Sequence, residues 1–102
     1  MLDRLEKHRP EIQALCERFG VRRLELFGSA ARGEFNPQSS DLDFFVDFND
    51  AGFEDPSDQY FGLLHGLEDL LGAKIDLVER SAVRSKLFLE IADRIRDLLY
   101  AA

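Results

Sequence analysis

Between Asp41 and Phe48 the chain alternates with a period of two. The even positions are Leu42, Phe44, Val46 and Phe48, and the odd ones are Asp41, Asp43, Phe45 and Asp47. In a β-strand successive side chains point to opposite faces, so this segment has one wholly apolar face and one that carries three carboxylates around a phenylalanine. A strand of this kind fits only a sheet with helices packed behind it and a polar site in front.

The flanking segments supply the neighbours such a strand needs. Val21 to Phe27 also alternates, with Leu24 and Leu26 on one face and Glu25 and Phe27 on the other, and Ala73 to Val78 reads as a third strand. Leu2 and Leu5 suggest a short helical turn. Ile12, Leu15, Cys16 and Phe19 recur at helical spacing, with Pro10 in the first turn and Gly20 at the stop. Asp55-Pro56-Ser57-Asp58 is a helix start, Phe61, Leu64, Leu67 and Leu71 form its predicted buried stripe, and Gly72 ends it. Leu87 or Phe88, Ile91, Ile95 and Leu98 predict a last amphipathic helix reaching about residue 100. Ser29 to Gly33 reads as the start of a short helix, and Glu34 to Ser40, with Asn36-Pro37, as a loop. The expectation is one α+β domain over residues 1–102, with a small mixed sheet built on three strands. Helices pack on one face of that sheet and the site lies on the other.

Composition narrows the setting. A chain of 102 residues has room for one domain and leaves much of its surface exposed, so an oligomer or bound partner would help stability. The single cysteine, Cys16, excludes an intrachain disulfide. The charged opening from Met1 to Lys7 is unlike a signal peptide, and no apolar run approaches membrane length. A soluble cytoplasmic protein is expected. Residues 33–79 carry twelve Asp/Glu against one Lys, whereas residues 1–32 and 80–102 are each basic by two charges. Asp50, Glu54, Asp55 and Asp58 read as solvated surface. An acidic chain without a basic stripe is also a poor binder of duplex DNA. His65 has no second His or Cys at ligand spacing and is not expected to hold a metal.

The remaining acids suggest chemistry. Asp41 and Asp43 lie two apart on a strand, with Cα atoms about 6.5–7 Å apart on one side. If the strand holding Asp76 lies alongside, its carboxylate joins them at about 5 Å strand spacing. Three such groups repel unless cations sit between them. Two Mg²⁺ ions about 3.5–4 Å apart fit, one activating an attacking hydroxyl and the other steadying a leaving pyrophosphate. Upstream, Gly28 sits where a strand ends and a helix is expected, which lets backbone N–H groups close on a phosphate. Ser29 adds a hydroxyl, and Arg32 either pairs with phosphate oxygens or lies on the helix surface.

Gly28-Ser29-Ala30-Ala31-Arg32-Gly33, followed by Ser40-Asp41-Leu42-Asp43 and later Asp76, resembles the minimal nucleotidyltransferases (MNT proteins) of the DNA polymerase beta superfamily, which often pair with a HEPN ribonuclease toxin. The resemblance covers nearly the whole chain. It implies that Gly28 and Ser29 hold the phosphates of ATP and that Asp41 and Asp43 ligate both metals. Asp76 would complete the catalytic metal site and help deprotonate the acceptor. The stretch between the Gly-Ser pair and Asp41 is one residue longer than the usual family spacing. Ala30 stands where the family often has Arg. The implied function is an antitoxin that moves AMP from ATP to a tyrosine of a HEPN toxin. Two alternatives stay open: an antitoxin that neutralises by docking alone, and a transferase acting on a small molecule.

Overall fold

The computed structural model describes residues 3–28, 42–49, 52, 54–94 and 96–101. Two helices, α1 (Asp3–Lys7) and α2 (Arg9–Arg18), precede strand β1 (Val21–Phe27). Strand β2 (Leu42–Phe48), helix α3 (Pro56–Leu71) and strand β3 (Ile75–Glu79) follow. A 3₁₀ turn (Arg80–Ala82), helix α4 (Lys86–Asp93) and strand β4 (Arg96–Ala101) complete the order. The sheet runs β3-β2-β1-β4. β1 is antiparallel to both β2 and β4, and β2 is parallel to β3 through the α3 crossover.

The alternation in β2 sets the layers. Leu42, Phe44 and Val46 point into the core with Leu24 and Leu26 of β1, Ile75 and Leu77 of β3 and Leu99 of β4. Leu5, Ile12 and Cys16 from the first helices and Leu63, Leu67 and Leu71 from α3 close it from behind. Burial pushes the Cys16 thiol up to about 12, so it is a packing residue. Helices α2 and α3 approach closely because Gly62 and Gly66 have no side chain where they cross. A Cβ at Gly62 would run into the Phe19 ring, and one at Gly66 would come 2.7 Å from a Leu15 methyl. The Gln59 amide, buried at the base of α3, donates to the Phe19 carbonyl at 2.8 Å and the Asn49 carbonyl at 3.3 Å. One side chain therefore joins the ends of α2, β2 and α3.

The α3 start is as the sequence predicts. The Asp55 side chain accepts from the Ser57 backbone N–H at 2.9 Å, Pro56 opens the helix, and Gly72 ends it. The buried stripe is shifted, however. Leu63, Leu67 and Leu71 line the core at intervals of four, while Phe61 is 49% exposed and packs edge-on against Tyr60. Stripes through 61 and 63 are both compatible with helical spacing. The Tyr60 hydroxyl decides the rotation by donating to the Leu77 carbonyl of edge strand β3.

The last predicted helix differs more. It stops at Asp93, and Arg96–Ala101 is a fourth strand on the free edge of β1. Leu98 opposes Glu25 and Tyr100 opposes Leu24, so Leu99 is an inserted residue. Such a bulge breaks the two-residue period, which is why Leu98-Leu99-Tyr100 does not read as a strand. Helix α4 lies on the sheet face opposite α2 and α3, where the Phe88 ring meets Phe27 and Phe45 edge-on. Among the described residues no helix is long and apolar enough to cross a membrane.

Candidate active site

The carboxylates of interest sit on the face of the sheet that α2 and α3 leave open. Asp43 on β2 is the register partner of Phe27 on one side and of Asp76 on the other. Neighbouring strands are about 4.8 Å apart, so the two acidic residues stand side by side on one face. Asp76 is exposed and Asp43 half-buried. The remaining predicted ligand, Asp41, lies outside the described residues, as do Ser29 and Arg32. Among the described residues no group of three His, Cys, Asp or Glu is close enough to hold a metal ion.

Gly28 brings the end of β1 against Asp43. Its φ is +75°, and a Cβ there would lie 2.6 Å from Asp43 Oδ2 and 3.4 Å from Asp43 Cγ. The Asp43 carboxylate is thus packed on the Cα of the turn, in space that any other residue would fill. Asp76 and Glu79 also make their charge felt at Tyr60. Burial raises the pKa of that phenol most, and the two carboxylates raise it further.

Beside the acidic pair is an ionic chain that sequence reasoning missed. Glu25, only 2% exposed, lies between Arg23 (Nε to Oε1 3.2 Å) and Arg96 (Nε to Oε2 3.2 Å). Arg23 Nε and Glu25 Oε2 meet no partner in hydrogen-bond alignment, so these contacts are held by charge. Arg96 continues to Asp93 at 3.3 Å, and Asp93 takes a two-pronged contact from Arg80 at 2.8 and 2.6 Å. The Arg80 guanidinium also lies 5.2 Å over the Phe45 ring. Phe45 stacks on Phe27 at 3.9 Å. The chain of charges therefore crosses the open face from the end of β3 to β1 and fixes α4 over the aromatic stack. The available signal was an acid at the centre of β1, on the face away from Leu24 and Leu26, in a chain with a basic C-terminal block.

Two adjacent carboxylates on an open face can share a divalent cation. The Gly28 backbone, packed against one of them, has no side chain to keep an anion away. The profile of the nucleotidyltransferase domain matches residues 11–99, and the chain belongs to that family of group-transfer enzymes. It is similar to the protein adenylyltransferase MntA of Thermococcus cleftensis, 38% identical over 94% of this chain and 87% of that one. A solved structure described as an inferred minimal nucleotidyltransferase is 33% identical, with a TM-score of 0.74 over 90% of this chain and 89% of that one. The fold is shared more distantly with the complex of a tri-AMPylated HEPN toxin and its MNT antitoxin from Shewanella oneidensis. That match is 18% identical, with a TM-score of 0.63 over 95% of this chain and 72% of that one.

Proposed function

We propose that this chain is a Mg²⁺-dependent protein adenylyltransferase, the antitoxin of a HEPN–MNT pair, transferring AMP from ATP to a tyrosine hydroxyl of its toxin. The observation that carries the reading is Asp43, flanked by Asp76 on the next strand and packed against the Gly28 turn. An all-oxygen donor set suits Mg²⁺, and the crowding of carboxylates is relieved by a cation between them. The names of the relatives supply the acceptor class, a protein, and the described Shewanella complex suggests the toxin.

In this reading Asp41, Asp43 and Asp76 would hold two Mg²⁺ ions. Bound there, they would supply charge neutralisation at the phosphates and a lowered pKa at the acceptor hydroxyl. Gly28 and Ser29 would seat the phosphate chain, and Arg32 would pair with its oxygens. The tyrosine oxygen attacks the α-phosphorus, and its proton passes to the Asp76 carboxylate. The bond to the β-phosphate breaks, and its electron pair leaves with pyrophosphate. The new P–O bond joins AMP to the toxin.

Transfer of labelled AMP to a HEPN-family protein from the same organism tests this directly. Asp43→Asn and Asp76→Asn are expected to lower the transfer rate by about a hundredfold or more while leaving the melting temperature nearly unchanged. Wild-type rates in both variants would end the catalytic reading. An Asp43→Ala chain that still neutralises the toxin in cells would favour docking alone.

A further inference from the structure

Helix α4 separates apolar from polar residues strongly, yet none of its residues is buried. Leu87 is 66% exposed, Ile91 54% and Phe88 43%, and Leu98 on the adjoining strand β4 is 45% exposed. Among the described residues these are four of the five large exposed apolar side chains, the other being Phe61 on α3. An eight-residue helix is marginal by itself. This one is tied down by the Phe88 edge contacts and the Arg80–Asp93 pair, which leave its apolar side uncovered.

From these observations we infer that the Leu87–Phe88–Ile91–Leu98 face is the docking surface for the acceptor protein, whose matching patch is apolar with an acidic rim. The inference rests on reading the chain as a protein-modifying transferase. Position supplies the first argument. The Phe88 ring lies 6.1 Å from that of Phe27, and Phe27 is the register partner of Asp43 and the neighbour of Gly28. A protein seated on α4 therefore reaches the acidic pair without crossing the sheet, whose other face is closed by α2 and α3. Charge supplies the second. Residues 80–102 hold five Lys/Arg against three Asp/Glu, whereas residues 1–79 hold eight against seventeen. Lys86 and Arg94 edge the patch with Glu90 between them. Arg80 and Arg96 are paired with Asp93 and Glu25, so the segment's remaining cations are Arg84, Lys86 and Arg94, all exposed. A second copy docked about a twofold axis would set them against themselves, which charge disfavours. An acidic partner gains where a second copy loses.

The test uses the full chain with Leu87→Glu and Ile91→Glu together, both exposed positions. A HEPN-family protein from the same organism is the probe. Four quantities are measured: its affinity, the KM and the kcat of AMP transfer to it, and Mg·ATP affinity by calorimetry. The affinity is expected to weaken by about tenfold or more and KM to rise in step, with kcat and Mg·ATP affinity within about twofold of wild type. Lys86→Glu with Arg94→Glu is expected to weaken docking too, and by less as salt is raised. Unchanged affinity and KM in the Glu pair would overturn the inference. So would a wild-type dimer that this pair converts to monomers with transfer intact, since the face would then belong to a second copy. If the wild-type chain transfers no AMP, the catalytic reading fails by itself. The affinity comparison then still decides the surface.

Discussion

At the scale of single residues, the Gly28–Asp43 contact makes the sharpest demand on sequence. Any side chain at residue 28 meets two costs: a positive φ, about 1–2 kcal/mol for a non-glycine residue, and a clash with a carboxylate oxygen 2.6 Å from the new Cβ. The clash can be relieved only by swinging Asp43 away from the turn. Gly28→Ala is therefore expected to lose about 1–3 kcal/mol of stability and to abolish the calorimetric heat of Mg·ATP binding. In an Asp43→Ala background the same change should cost less, because only the backbone strain remains. Equal costs in the two backgrounds, measured by urea unfolding, would mean that the contact is not tight. This pairing was partly legible in the sequence. A glycine after a strand and an acid on an alternating strand are both visible there, but their mutual contact depends on the β1–β2 register, which no local pattern encodes. Glu25 was less legible still, because its partner Arg96 is distant in the chain and the strand that carries it reads as helix.

Secondary-structure elements divide in the same way. β2 is readable because its period is unbroken. The limits of α3 are readable because it has both its start and stop residues, whereas which of its stripes is buried is not. β4 is not readable, since its bulge turns Leu99 and Tyr100 toward the core in succession, which breaks the alternation, while Ile91, Ile95 and Leu98 keep a helical spacing. Helix α4 is readable as a helix, but its place on the open face is not. The Arg80–Asp93–Arg96 cluster fixes that place, and its strength has a pH dependence. The hydrogen bonds from Arg80 hold the Asp93 carboxyl below its ordinary value of 3.8, against desolvation, and the charges of Arg80, Arg96 and Arg23 deepen the shift. A depressed folded-state pKa gives stability that is present above the unfolded value and is lost as pH falls through the folded one. The α4 attachment should therefore hold from neutral pH down to about 4 and loosen below it. Both partners are partly exposed, so Arg80→Ala and Asp93→Ala are expected to couple by only about 0.5–1 kcal/mol at pH 7. The coupling should vanish in strong acid. Urea unfolding of the four-member mutant cycle at pH 7 and pH 3 checks this, and a coupling undiminished at pH 3 would contradict it.

For the whole molecule, the decisive feature is that the two ends of the described chain meet. Strand β4 makes β1 an interior strand and sends Leu99, 2% exposed, into the core shared with Ile12 and Cys16 of α2. A domain of this size has a net stability of only about 5–15 kcal/mol, so one core residue near the C-terminal end bears on the entire fold. Leu99→Ala is expected to cost about 2–4 kcal/mol and to lower the midpoint of a single cooperative transition by roughly 10 °C or more. Leu98→Ala, on the open face, is expected to stay within about 0.5 kcal/mol of wild type. The pair separates two architectures cleanly. A helix continuing to residue 100 along the Ile91, Ile95 and Leu98 stripe would bury Leu98 and free Leu99, which reverses the order of the two effects. In the four-stranded sheet Leu99 must be the costly position, because its loss opens a cavity beneath α2 and loosens the strand that carries Arg96 to Glu25. The ionic chain that seats α4 beside Asp43 would weaken with it, so the Leu99→Ala chain should also lose transfer activity at temperatures well below its midpoint.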